Sequence, residues 1–142
     1  METVSASVEQ YFYNGGLNCA ETTLRCLIEE GVIDAPLDAV RMMTGFGGGM
    51  QRGTTCGAVV GAVAAIGWVL GRTEPGASRE ESAEAVRAFL ECFEKEFGSL
   101  NCSELQELHM NGCALKSDEM YRKCADFLKK SLALTKCAVK WE

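Results

Sequence analysis

The sequence predicts an all-α fold, a single-domain bundle of about five to six helices, because its apolar residues recur at intervals of three and four. Only two prolines, Pro36 and Pro75, occur in the 142 residues. No alternating run rich in Val, Ile and Thr indicates a strand. The length is typical of one domain with a buried core, so we expect one domain over residues 1–142.

The amino-terminal part is predicted to hold two helices and a short third segment. Four apolar residues share one face of the first helix: Val4, Val8, Tyr11 and Phe12. Asn18 is the predicted N-cap of the second helix, and Gly31 ends it. The short segment follows Pro36 and covers about residues 37–44.

A long uncharged run, TTCGAVVGAVAAIGWVLG, predicts a central, Gly/Ala-rich buried helix over about residues 55–70. The run is shorter than the roughly 20 apolar residues that cross a bilayer, and no basic cluster flanks it. We therefore expect no membrane span. Gly57, Gly61 and Ala65 recur at intervals of four and form a ridge of small residues. Such a ridge lets another helix of the domain, or a second copy of the chain in a homodimer, approach closely.

The second half of the chain predicts three further helices. An amphipathic helix runs to about Phe97, where Gly98 ends it. Asn101 is the predicted cap of a short helix, and Ser117 caps a last helix over about residues 118–134.

The net charge indicates which partners are disfavoured, and the first residues indicate the cellular compartment. The formal net charge is −6, which disfavours nucleic acid and anionic membranes as partners. The first residues, METVSASVEQYF, lack the basic and apolar regions of a secretory signal, so we expect a cytoplasmic protein. Disulfides are uncommon in that compartment, which favours free, redox-active or metal-bound cysteines over structural disulfides.

Eight cysteines are the main chemical feature of the chain, and no two of them form a CxxC pair. Three of them follow a predicted cap or loop at the start of a helix: Cys19, Cys56 and Cys102. A helix amino terminus lowers the pKa of a thiol, so Cys56 and Cys19 are the leading candidates for redox chemistry. No CxxCH motif is present, so no covalently attached haem is expected.

Other chemical candidates have simpler interpretations. The loop GFGGGMQRGTT lacks the lysine of a phosphate-binding P-loop, and its glycines let the backbone approach a compact group. We expect Cys26 to pack in the core, Cys92 to be a core or boundary thiol and Cys137 to be incidental. The single histidine, His109, is expected at a helix end on the surface.

Four segments occur in the order and spacing of a known family: NGGLNCAET, GFGGGMQRGTTCGAVVGAVAAIG, FGSLNCSEL and a later cysteine-bearing helix. On these segments the chain resembles the C_GCAxxG_C_C family of redox-active proteins. The CGAxxG signature is complete and begins at Cys56. By the same resemblance, Cys19, Cys56 and Cys102 match the first three family cysteines. Cys124 matches the fourth, with Cys113 as the alternative.

The resemblance implies a redox-active or cluster-binding protein with a redox partner that the sequence does not identify. A related helical domain occurs in split-Soret-type cytochromes, where cysteines are associated with an iron–sulfur-type centre. The resemblance therefore implies that Cys19, Cys56, Cys102 and Cys124 hold a 2Fe–2S or 4Fe–4S cluster for electron transfer or redox sensing. Four thiolates satisfy such a cluster, and helix amino termini would stabilise its negative charge.

Three alternatives to the cluster stay open. Cys56 could exchange a disulfide with Cys19 or Cys102 without any metal. The four family cysteines could bind a structural zinc ion. The chain could also be a non-enzymatic helical assembly module whose cysteines are only buried.

Overall fold

The structure, a computed structural model, describes residues 7–110, 126 and 128–135. Within these residues the chain forms helices and turns, with one isolated antiparallel bridge between Thr55 and Asn101 and no longer strand. The predicted all-α class is therefore confirmed. Four α-helices lie within residues 7–110: α1 (Cys19–Glu29), α2 (Gly57–Leu70), α3 (Glu80–Phe97) and α4 (Cys102–Met110).

Shorter helical elements occur between the α-helices. A wide π-helical turn covers Glu9–Tyr13, and a 3₁₀ helix covers Leu37–Phe46 where a short segment was predicted. A second wide turn covers Gly49–Gly53. Residues 128–135 are helical, as predicted for the last helix, whereas its predicted cap, Ser117, lies outside the described residues.

Helix α1 begins with the cap that the sequence predicts. The Asn18 side chain accepts a hydrogen bond from the Glu21 N–H at 2.9 Å, and the Glu21 carboxylate accepts one from the Asn18 N–H at 2.9 Å. This reciprocal capping box satisfies two backbone donors that a helix start otherwise leaves unpaired. At the other end, Gly31 has a φ of 75°, which ends the helix with a left-handed residue as predicted.

Helix α2 is the buried central helix, and its small residues face α1. A methyl group on Gly57 would lie 2.9 Å from the Ala20 backbone nitrogen, and one on Gly61 would lie 2.8 Å from the Thr23 Cβ. The ridge of small residues therefore packs against α1 of the same chain. A homodimer stays a prediction, but the ridge no longer supports it. The helix begins at Gly57 rather than near Thr55, because Thr55 belongs to the bridge.

Helix α3 packs on α2 and carries a ladder of buried aromatic rings. The ring centroids of Phe89 and Phe93 are 5.9 Å apart, and those of Phe93 and Phe97 are 4.7 Å apart. These spacings and the tilted rings fit favourable aromatic pairing in a core. Gly98, with a φ of 96°, ends the helix as predicted and turns the chain towards α4.

The helical residues 128–135 lie beside the amino-terminal turn. Lys129 Nζ is 2.8 Å from the Glu9 carboxylate, which links the two ends of the described chain. Four residues on one face of this stretch are buried: Leu128, Ser131, Leu132 and Thr135. Across all the residues that the structure describes, no helix has the length and apolar character to span a membrane.

Candidate functional site

The three cysteines predicted at helix starts are found there. Cys19 is the first residue of α1, Cys102 is the first residue of α4, and Cys56 immediately precedes α2. Their placement at helix starts is therefore confirmed, whereas their chemical roles stay predictions.

Two backbone hydrogen bonds bring Cys56 and Cys102 to the same short bridge. The Cys56 N–H donates to the Leu100 carbonyl at 2.8 Å, and the Cys102 N–H donates to the Thr54 carbonyl at 2.6 Å. The two bonds flank the pair formed by Thr55 and Asn101. Because side chains alternate along such a ladder, Cys56 and Cys102 leave the bridge on the same face. Burial is the main cause that raises the pKa of Cys56, and the charge of Cys102 is a smaller one.

Cys19 reaches the same region from α1. A methyl group on Gly57 would lie 3.0 Å from the Cys19 Cβ, so Cys19 packs against the residue that follows Cys56. The absence of a side chain at Gly57 makes this approach possible. All three helix-start cysteines thus lie in the region of the start of α2.

Burial overturns the expected low pKa of Cys56. Its side chain is 5% exposed, and desolvation by burial raises its pKa from the ordinary 9.0 to about 11. The Val59 and Ala58 N–H groups of the first turn lower the pKa, as the helix-start argument predicts, although Sγ makes no cap hydrogen bond of ordinary geometry. The loss of hydration is the larger effect, since burial disfavours the charged thiolate.

Cys102 is more accessible than Cys56 and has a polar partner. Its side chain is half-buried, and burial raises the pKa of its thiol. Gln106 Nε2 donates a hydrogen bond to the Cys102 Sγ at 3.4 Å, which lowers that pKa. Gln106 had not been predicted from the sequence, although its position four residues after a helix-start cysteine places it on the same helix face.

The glycine-rich loop packs against Cys102. A methyl group on Gly49 would lie 2.7 Å from the Cys102 Cβ and 2.6 Å from the Thr54 backbone nitrogen. The sequence predicted that these glycines approach a compact group. For Gly49 that group is Thr54 and Cys102 of the same chain. Met50 and Gln51, with φ values of 60° and 63°, continue the left-handed backbone of the loop. Left-handed backbone at residues with a Cβ is unfavourable and often occurs at functional sites.

A polar network joins the start of α1 to the 3₁₀ helix beside Cys19. Asn18 Nδ2 donates to the Thr44 carbonyl at 2.9 Å, and the Thr44 hydroxyl donates to the Glu21 carboxylate at 2.6 Å. Gly47 leaves room for Asn18, because a methyl group there would lie 2.5 Å from the Asn18 side chain. The network fixes the start of α1, and Cys19 is the first residue of that helix.

The α3–α4 turn holds the Asn101 side of the bridge. Ser99 accepts a hydrogen bond from the Asn101 N–H at 3.0 Å and donates one to the Glu104 carboxylate. The Leu105 N–H donates to the Asn101 carbonyl at 2.9 Å, so α4 starts at the predicted residue. His109 is exposed at a helix end, as predicted, and its Nε2 lies 2.6 Å from the Phe97 carbonyl oxygen, to which the ring N–H donates.

The other cysteines divide into described and undescribed positions. Cys26 is buried in the core, as predicted, and burial is the main cause that raises its pKa to about 12. The expectation of a core or boundary position for Cys92 is wrong, because Cys92 is exposed on the outer face of α3. Three cysteines lie outside the described residues: Cys113, Cys124 and Cys137.

The described residues do not provide a metal site by themselves. Over residues 7–110, 126 and 128–135, no three His, Cys, Asp or Glu side chains are placed to hold one metal ion. Cys19, Cys56 and Cys102 share a region without forming such a set. The predicted fourth ligand, Cys124, and its alternative, Cys113, fall outside those ranges. The described donor set therefore does not fit an iron–sulfur cluster or a zinc ion.

An apolar groove of about 380 Å³ lies next to the bridge. Aliphatic side chains of α2 and α3, Leu100 of the α3–α4 turn and the two bridge residues line it: Val59, Val60, Val63, Val86, Leu90, Leu100, Thr55 and Asn101.

Comparison with known proteins identifies one family. The family model described as "Putative redox-active protein (C_GCAxxG_C_C)" matches residues 17–137, which cover most of the chain and include all three helix-start cysteines. Neither the search of curated proteins nor the search of solved structures gives a match.

Proposed function

Because this chain belongs to the C_GCAxxG_C_C family of redox-active proteins, we propose that it is a thiol–disulfide exchange protein whose reacting pair is Cys56 and Cys102. The observation that carries the proposal is the bridge, whose two backbone hydrogen bonds hold the segments of Cys56 and Cys102 together with both cysteines on one face. Cys19 packs beside them as the third thiol of the site.

The accessibility of the two thiols assigns their order in the reaction. Cys102 is half-buried and meets the partner first, whereas Cys56 is buried and acts second. The Cys102 thiolate attacks one sulfur of a partner disulfide, and the released thiolate takes up a proton. The Cys56 thiolate then attacks the Cys102 sulfur and displaces the second partner thiol. Two electrons pass from the two cysteines to the partner disulfide, and their two protons end on the two partner thiols.

Bond formation requires the bridge to shift. Diagonal neighbours on an antiparallel ladder are usually about 7–8 Å apart, whereas Cα atoms joined by a disulfide are usually about 4.4–6.8 Å apart. The glycines of the loop can adopt more backbone conformations than other residues, which favours such a movement. We place this chemistry in the cytoplasm, where a cysteine pair can be reduced again by the thiol pool.

A cysteine-ligated iron–sulfur centre is the second candidate, favoured by the meeting of helix starts at one place. Helix amino termini stabilise anionic groups, and a thiolate-bound cluster is anionic. This candidate needs Cys124 or Cys113 as a further ligand and a different arrangement of the three described thiols.

Peptide mapping after anaerobic purification tests the proposal. We expect metal-free protein to lose two alkylatable thiols on treatment with a low-molecular-weight disulfide, with Cys56 linked to Cys102, and to regain them on reduction. The Cys92→Ser variant, which changes an exposed thiol away from the bridge, should behave identically. A link between Cys56 and Cys19 would overturn the assigned pair. Bound iron and sulfide that are lost on Cys56→Ala would favour the cluster instead. If no reversible change occurs in the metal-free protein, the exchange function is rejected.

A further inference from the structure

Gln106 and Cys102 form a side-chain pair on one face of α4. They are four residues apart, which brings their side chains together on a helix. The amide Nε2 donates to Sγ at 3.4 Å, and both side chains are half-buried. A thiolate is a stronger hydrogen-bond acceptor than a thiol, so this donor stabilises the deprotonated form more than the protonated one.

Among the residues that the structure describes, no other side chain donates a hydrogen bond to the Cys102 sulfur. The Cys102 N–H is occupied by the Thr54 carbonyl at 2.6 Å. The loop residue against Cys102 is Gly49, which is uncharged, and the titratable group facing it across the bridge is the Cys56 thiol, whose charge would be repulsive. On α4 itself, the Glu104 carboxylate is held by the Ser99 hydroxyl.

We propose that Gln106 is a positioning residue, which orients the Cys102 sulfur and stabilises its thiolate for attack on a partner disulfide. The inference rests on the proposed function and adds a residue to its site. Desolvation raises the pKa of Cys102, and the Gln106 hydrogen bond opposes that effect. Without this donor, half-burial would leave the attacking thiol less ionised near neutral pH.

The test is the pH dependence of alkylation at Cys102, followed by mass spectrometry of its peptide in the full chain. Gln106→Met keeps the size of the side chain and removes the donor. We expect the midpoint of the rate profile to move to higher pH, and the rate at pH 8 to fall about three- to tenfold. Gln106→Glu places an anion beside the sulfur and should move the midpoint at least as far upward.

Two controls separate this effect from a loss of structure. Glu107→Ala changes the exposed neighbouring residue on α4 and should leave the Cys102 midpoint in place. The alkylation rate of exposed Cys92 should be the same in every variant. An unchanged midpoint in Gln106→Met would overturn the inference, as would an equal shift in Glu107→Ala.

The pH midpoint of Cys102 alkylation can be measured whether or not Cys56 and Cys102 form a disulfide. If the midpoint moves as expected but Cys56 and Cys102 never become linked, the proposed exchange fails and the role of Gln106 in ionising Cys102 stands. A second outcome is that the link forms in the unmodified chain while Gln106→Met leaves the pH midpoint of Cys102 alkylation unchanged. In that case the inference on Gln106 fails without affecting the proposed function.

Discussion

Thr55 and Asn101 face each other in an antiparallel bridge between the segments that lead into α2 and α4. The residue after each of them is a cysteine, and each of these cysteines donates its N–H across the bridge. A very short piece of β-type pairing therefore brings together the backbone segments of two cysteines in a helical chain.

The contact between α1 and α2 predicts which glycines tolerate a methyl group. Gly57→Ala and Gly61→Ala should each reduce the free energy of unfolding by about 1–3 kcal/mol, because the new Cβ would overlap α1. Gly67→Ala is the matched control in the same helix, since a Cβ there meets nothing within 4 Å. It should be neutral or stabilising by up to about 1 kcal/mol. Urea unfolding of the three variants measures the differences, and equal losses at Gly61 and Gly67 would contradict the packing described.

The left-handed loop predicts opposite responses at neighbouring residues. Gly49→Ala should destabilise the chain by about 1–3 kcal/mol, because φ is +67° and the new Cβ would overlap Thr54 and Cys102. Met50→Gly removes a Cβ from a residue with a φ of 60°. The relief of strain, about 1–2 kcal/mol, offsets the backbone entropy of glycine, about 0.5–1 kcal/mol. Thermal unfolding should show a small change or a gain, and a loss above about 1 kcal/mol for Met50→Gly would contradict the left-handed conformation.

The capping network at α1 predicts a graded effect at Asn18. Asn18→Ala removes both the cap acceptor and the donor to the Thr44 carbonyl, and should cost about 1–2 kcal/mol. Asn18→Asp keeps the acceptor and loses the donor, so its loss should be smaller. Chemical denaturation at neutral pH gives both values. A larger loss for Asn18→Asp than for Asn18→Ala would show that the helix cap is not the main role of the residue.

Buried thiols predict that stability falls at alkaline pH. The pKa of Cys26 is about 12 and that of Cys56 about 11 in the folded chain, against an ordinary 9.0. Above pH 9 the unfolded chain therefore releases protons that the folded chain retains, and stability falls as the pH rises towards 11. Each such group contributes about 1.4 kcal/mol per pH unit in this range.

The Cys26→Ala variant isolates that contribution. Its stability should fall less steeply between pH 9 and 11 than that of the unmodified chain, measured by urea unfolding under reducing conditions. Cys92→Ala, at an exposed position, should leave the slope unchanged. If Cys26→Ala has the slope of the unmodified chain, the Cys26 thiol does not remain protonated in the folded state.

Local patterns in the sequence predicted most of the fold. Asn18, Gly31 and Gly98 act through their own backbone and nearest neighbours, so each helix end could be located from residue type. The central helix followed from its uncharged run, and the helix-start cysteines followed from the caps. Features that depend on the nearest few residues are therefore accessible without a structure.

The site depends on relationships that the linear sequence does not carry. The bridge pairs two segments that are separated by α2 and α3, and no strand pattern marks either segment. The pKa of Cys56 could not be predicted because it depends on burial, which is set by tertiary packing rather than by position at a helix start. The prediction for Cys92 was wrong for the same reason. Apolar neighbours in sequence do not decide which side of α3 faces the core.

We expect the cysteine pair to form late in folding because of the bridge. Thr55 and Asn101 meet only when α2 and α3 have folded back on each other, since the whole helical hairpin lies between them. Closing so long a loop costs chain entropy that local helix formation does not repay. A partly folded chain can therefore form its helices while Cys56 and Cys102 are still apart. Proximity between these two sulfurs is a marker of the completed domain.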